Sequence, residues 1–159
     1  MADFTLIVGL CAKIVMIIIS AVIISQINPA YAGSAAFLSY KVIFIYLTCA
    51  MTLVYCLVTI IIHVGIGLKR PERITSYAIA EIVISAIALA FWLFVSGLAG
   101  STAWRTGADD AMTFGWISGL AGVICFLFCL LAVIFCARIG MDKMVNGVKR
   151  NRDKLPLYR

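Results

Sequence analysis

Two ionisable residues interrupt the apolar runs of this chain. Lys13 lies within GLCAKIVMIIIS (9–20) and Glu81 within SYAIAEIVISAI (76–87). An unpaired charge in the middle of a membrane helix costs about 2.5–3.5 kcal/mol on the insertion scale, so such residues are placed for a reason. One possibility is a carboxylate-based path for a proton or ion. A second is a buried pair that fixes the register of two helices. A third leaves Lys13 to stretch its ammonium to lipid phosphates. Helical spacing puts Lys13 on one face with Gly9 and Ser20, and Glu81 with Ala78, Ser85 and Ala88. Small residues mark helix–helix contacts in lipid, so both charges are expected to point into a bundle.

The remaining candidates are few. His63 is the sole histidine and stands near the end of an apolar run. The six cysteines, Cys11, Cys49, Cys56, Cys125, Cys129 and Cys136, all fall in apolar runs without a C-x-x-C spacing. They read as small hydrophobes rather than metal ligands or a disulfide framework. Cys136, near the end of the last run, is a candidate for palmitoylation. There is no Ser/His/Asp set, carboxylate pair or phosphate loop. The expectation is a protein that is not an enzyme and needs no cofactor and no metal.

The elements that position these residues are plain. The chain has 159 residues, 64% of them hydrophobic, and a mean hydropathy of +1.11; a soluble domain is only about half apolar. Four stretches carry the excess: 5–25, 42–66, 76–99 and 112–137. Each exceeds the ~20 residues a helix needs to cross a bilayer, and none has the ~10-residue alternating pattern of a barrel strand. The fold expected is an all-α integral membrane protein, a four-transmembrane-helix bundle over 1–137 with a basic tail over 138–159. Although PAYAG (29–33) ends in an A-x-A-like pattern, no basic segment precedes the first apolar run, which reads as a span rather than a signal peptide.

Charge sets the expected orientation. Residues 67–75 carry three bases and one acid, and 138–159 carry seven bases and two acids. Residues 26–40 carry no charge, and 100–111 carry Arg105 against Asp109 and Asp110. The positive-inside rule then places both termini and the middle loop in the cytoplasm. Tyr31, Phe37, Tyr40, Trp104 and Trp116 fall near the outer boundary and Tyr77 near the inner one, as interfacial anchors do. At 1.5 Å per residue Lys13 lies ~12 Å and Glu81 ~8 Å from the cytoplasmic helix ends.

Two further patterns suggest surfaces. Gly115, Gly119 and Gly122 open the fourth span, the first two as a GxxxG that allows close backbone approach. Packing within the chain and self-association both fit. In the tail, Met141, Met144, Val145 and Val148 form an amphipathic face, read as a continuation of the fourth helix or a short surface helix whose length Gly147 and Pro156 limit. Lys143, Lys149, Arg150, Arg152 and Lys154 supply its charge, suited to anionic lipid of the inner leaflet or a cytosolic partner. Topology already accounts for this charge, so nucleic acid is not an expected partner.

In these features the chain resembles the MARVEL family of four-span proteins. The resemblance covers most of the chain and is most specific in TSYAIAEIVISAIALAFWLFVSGLAG, with its early acid and late FW, and in FGWISGLAGVICFLF. Lys13 and Glu81 match in type the basic residue of helix 1 and the acid of helix 3 in the related plant Casparian-strip membrane proteins, where arginine and aspartate stand. The resemblance implies a membrane-organising or junctional scaffold that associates laterally with itself or with other membrane proteins, in the plasma membrane or an endomembrane. An accessory subunit of a transporter or respiratory-type assembly is the alternative, and an ion or proton pathway through Glu81 and Lys13 the third reading.

Overall fold

The computed structural model describes residues 2–27, 40–69, 74–104 and 108–152. Among these residues the elements are four helices: α1 (Ala2–Gln26), α2 (Tyr40–Lys69), α3 (Ile74–Ala103) and α4 (Ala108–Arg152). All four are long and apolar enough to cross a membrane, and no strand occurs among the described residues. PAYAG, Tyr31, Phe37, Lys154 and Pro156 lie outside the described residues.

The helices form a square in chain order. α1 packs on α2, α2 on α3, α3 on α4, and α4 back on α1, with α3–α4 the closest pair and α2–α3 the loosest. α1 and α3 face each other across one diagonal, and α2 and α4 across the other.

One rule selects the buried residues. In α1 they include Gly9, Lys13, Met16, Ser20 and Ile23, with Ile27 just past its end; in α2, Val42, Ile45, Cys49, Thr52, Cys56 and Thr59. In α3 the seam runs Ala78, Glu81, Ser85, the half-buried Ala88, then Trp92, Val95, Ala99 and Thr102; in α4 it runs Phe114, Ile117, Ala121, Ile124, Phe128, Leu131 and Phe135. The spacing alternates three and four throughout. A 3.5-residue repeat keeps a seam facing its neighbours only if the helices wrap in a left-handed sense, as most membrane bundles do. Outside the seam, leucine, isoleucine, valine and phenylalanine point outward in all four helices. In water that surface would drive aggregation; in hydrocarbon it is the expected exterior.

α4 differs from expectation in length. It runs without a break for 45 residues, roughly 67 Å, so of the two readings of the tail the continuation of the fourth helix is the one observed, and Gly147 does not end it. A glycine inside a helix costs only about 1 kcal/mol, which the flanking turns absorb. A bilayer core is ~30 Å thick, so the last turns of α4 project well beyond it. Lys143, Met144 and Val145 are exposed there, and the backbones of Lys149, Arg150 and Arg152 continue the same helix.

Candidate functional site

The site begins with a steric fact. Lys13 and Glu81 occupy seam positions of helices that face each other across the bundle diagonal, so their side chains reach toward the bundle axis. The Lys13 ammonium meets the Glu81 carboxylate at 2.5 Å, with the two side chains 0% and 1% exposed. Lys13 therefore does not stretch to the lipid surface.

Two tyrosines complete the cluster. Tyr55 of α2 donates its hydroxyl proton to Glu81 Oε1 at 2.6 Å. Lys13 Nζ donates to the Tyr77 hydroxyl at 2.8 Å, and Tyr77 points on to the Thr59 carbonyl at 3.5 Å. The ammonium also lies 5.7 Å from the Tyr55 ring centroid and 5.5 Å from that of Tyr77, within range of cation–π attraction. Phe128 and Phe135 of α4 close the cluster from the fourth side, with ring centroids 5.9 Å from Tyr55 and 6.0 Å from Tyr77. Each helix thus contributes: a cation from α1, a phenol from α2, an acid and a phenol from α3, and aromatic walls from α4.

The physical logic is compensation. Two charges in a dry interior lose several kcal/mol each of hydration, which mutual attraction offsets only when further hydrogen bonds satisfy them. Here one carboxylate oxygen accepts two charge-assisted bonds, and the ammonium has an anionic and a neutral acceptor as well as two ring faces.

On either side of Tyr55, α2 carries a polar column at Thr48, Thr52 and Thr59. Each hydroxyl donates back to its own helix: Thr48 to the Phe44 carbonyl (2.9 Å), Thr52 to the Thr48 carbonyl (2.9 Å) and Thr59 to the Tyr55 carbonyl (2.8 Å). Thr52 also accepts the indole N–H of the fully buried Trp92 at 2.9 Å. These hydroxyls satisfy the backbone and the indole. They do not form a chain of donors leading away from Glu81.

The other residues singled out in the sequence are placed differently. Gly115, Gly119 and Gly122 are exposed, and a Cβ built on any of them would meet no atom within 4 Å. They are therefore not the residues that let α4 pack within the chain. That close approach is made one residue away. Ser118 Oγ donates to the Ser96 carbonyl at 3.0 Å, Ser96 Oγ reaches the Ser118 carbonyl at 3.2 Å, and a Cβ on Gly100 would stand 3.4 Å from Ser118 Oγ.

Cys125 is buried while Cys129 and Cys136 are exposed, so the three do not share one environment. Among the described residues no three His, Cys, Asp or Glu side chains come together as a metal site would require. His63 lies on α2, with its side chain outside the description. Tyr77 belongs to the charge cluster, whereas Tyr40, Trp104 and Trp116 are exposed on the exterior, as interfacial anchors would be.

Sequence reasoning missed Tyr55, the direct donor to Glu81. It also missed Lys41, which falls between the uncharged segment 26–40 and the apolar run 42–66 and bonds to Thr102 Oγ1 at 3.2 Å. Polar residues at seam spacing on α2 (Thr48, Thr52, Tyr55, Thr59) were the available signal.

Compared with known proteins, the chain matches no family model, no curated protein and no solved structure.

Proposed function

We propose that this chain is a non-enzymatic membrane-organising protein that associates laterally, with further copies of itself or with partner membrane proteins, through the outward face of α4. The observation that carries this reading is the direction of Gly115, Gly119 and Gly122. Three glycines within eight residues lower helix propensity and lose packing. In this chain they serve no internal contact. They leave a shallow notch between the exposed side chains of Met112 and Phe126, where a second helix can approach to backbone distance.

The charge cluster supports the same reading from inside. A core in which an ion pair bridges one diagonal and a ring contact the other resists deformation when its exterior is gripped by a neighbour. The hydroxyls of α2 are spent on helix carbonyls and the indole, which favours a structural role for Lys13 and Glu81 over a conducting one. In this account both termini are cytoplasmic, and the projecting end of α4 brings its basic residues over the anionic leaflet. A MARVEL-like kinship fits this picture through the basic residue of α1 and the acid of α3.

Native mass spectrometry of the full chain released from native nanodiscs tests the proposal. Homo-oligomers or mixed lateral assemblies are expected. A fixed one-to-one complex with a large transporter or enzyme would replace this reading with that of an accessory subunit.

A further inference from the structure

Between α2 and α3, the loosest pair of the square, runs a groove of about 270 Å³. Phe44, Met51, Ile87 and Phe91 are among the side chains along it, and Trp92 and Phe128 form its floor. Along α2 it extends from Phe44 to Tyr55, roughly 16 Å, parallel to the direction in which lipid chains run. One wall is fixed by Phe44, whose ring stands edge-on to Phe94 at 4.9 Å and stacks with Phe91 at 6.0 Å. The volume is almost twice that of the ~150 Å³ apolar cavity that holds a benzene.

The polar groups on its walls make no demand on an occupant. The Thr48 hydroxyl is bonded to the Phe44 carbonyl, Thr52 to the Thr48 carbonyl and the Trp92 indole, and Tyr55 to Glu81. A polar ligand would find the hydroxyl hydrogens of Thr48, Thr52 and Tyr55 already donated elsewhere. What fits is an unbranched hydrocarbon.

The end of the groove away from Glu81 is not apolar. Lys41 stands three residues before Phe44 on the same face of α2, half-buried, and its ammonium bridges to the hydroxyl of Thr102 on α3. Among the described residues its hydrogen-bond partner is this uncharged hydroxyl, and the ammonium stands at the helix ends, where lipid headgroups lie. Apolar slot and cation are therefore arranged as the two halves of one molecule.

We infer that this groove holds one acyl chain of an anionic phospholipid of the leaflet opposite the chain termini, with its headgroup phosphate on Lys41. The site is separate from the basic end of α4, which lies at the other end of the bundle. It gives the bundle a lipid preference on a face that α4-mediated contacts leave free.

Trp92 is a built-in reporter, because the chain has only two other tryptophans. Trp104 and Trp116 are both exposed and are replaced by phenylalanine. The full-length protein is reconstituted in phosphatidylcholine bilayers, and phosphatidylglycerol or phosphatidylcholine with bromine on the acyl chain is titrated in. Bromine quenches indole fluorescence only at close contact. Quenching of Trp92 should favour the brominated phosphatidylglycerol by about fivefold in apparent affinity, the preference one lysine supplies at a membrane surface. Lys41→Gln should abolish that preference while leaving quenching itself, and Ala88→Phe, which fills the groove, should remove quenching by both lipids. If the filled variant does not fold, Lys41→Gln carries the test alone. Absence of Trp92 quenching, equal quenching by the two lipids, or a preference that survives Lys41→Gln would overturn the inference.

Discussion

Ser118 of α4 and Ser96 of α3 exchange hydrogen bonds through each other's carbonyls, at 3.0 and 3.2 Å. This contact, and not the neighbouring glycines, binds the two helices to each other. It separates two functions along one stretch of α4. Ser118 holds the fold together, and Gly119, one residue on, faces away from the core with nothing near its absent side chain.

That separation gives a paired prediction. Gly119→Leu leaves the unfolding midpoint of the monomer in detergent nearly unchanged and reduces the oligomeric fraction seen by native mass spectrometry severalfold. Gly100→Leu has the opposite profile. Even its Cβ would lie 3.4 Å from Ser118 Oγ, so a larger side chain forces α3 and α4 apart, at about 1–3 kcal/mol for overpacking. Equal effects of both substitutions on stability would show that Gly119 is also an internal contact.

The charge cluster makes a second prediction. Glu81→Ala leaves the Lys13 ammonium buried without its anion, and removing one partner of a buried pair costs about 3–5 kcal/mol. Lys13→Ala combined with Glu81→Ala removes both charges and should destabilise less than Glu81→Ala alone. Unfolding by sodium dodecyl sulfate in mixed micelles reads the difference. A double variant that loses the sum of the two single effects would mean that the residues do not act as a pair.

Tyr55→Phe tests the third member. It removes a donor from Glu81 Oε1 without changing ring packing on Phe128, and should cost about 1.5–3 kcal/mol, the range for hydrogen bonds to charged groups. Tyr55→Phe in the background of Lys13→Ala and Glu81→Ala should cost much less, because the bond has lost its charge. The same micelle titration checks this, and an equal cost in both backgrounds would assign Tyr55 to packing alone.

How far these relationships were legible in the sequence follows from the solvent. The four helices could be read from length and apolarity, because only a helix satisfies its own backbone within lipid. The faces of Lys13 and Glu81 were legible because a charge among small residues is conspicuous. The rest of the seam was not. A bundle in water has a polar outside to contrast with its core, but here Ile18 points to lipid and Ile23 to the interior, and composition cannot tell them apart. Tyr77 passed for an interfacial anchor because its distance from the helix end suited one. The direction of the α4 glycines could not be chosen either, since internal and external contacts both favour small residues.

The projecting end of α4 supports a prediction about lipid. Neutralising Lys149, Arg150, Arg152 and Lys154 together should weaken binding of the chain's C-terminal end to an anionic surface by about 1 kcal/mol per residue. A peptide of residues 138–159 titrated with phosphatidylserine vesicles reads the effect, as a loss of two to three orders of magnitude in partitioning. Unchanged partitioning would move the role of this charge from lipid to topology.

The central claim, lateral association through the outward face of α4, is tested most directly by oxidative cross-linking in native membranes. Gly115→Cys, one turn from Gly119 with open space around its Cβ, is introduced after the lipid-facing Cys11, Cys129 and Cys136 have been changed to alanine. Leu57→Cys, on the exposed surface of α2, is the collision control. The account predicts rapid disulfide dimerisation through position 115 at low expression, well above that through position 57, and its loss when Gly119→Leu is added. Equal, slow cross-linking at the two positions would contradict it.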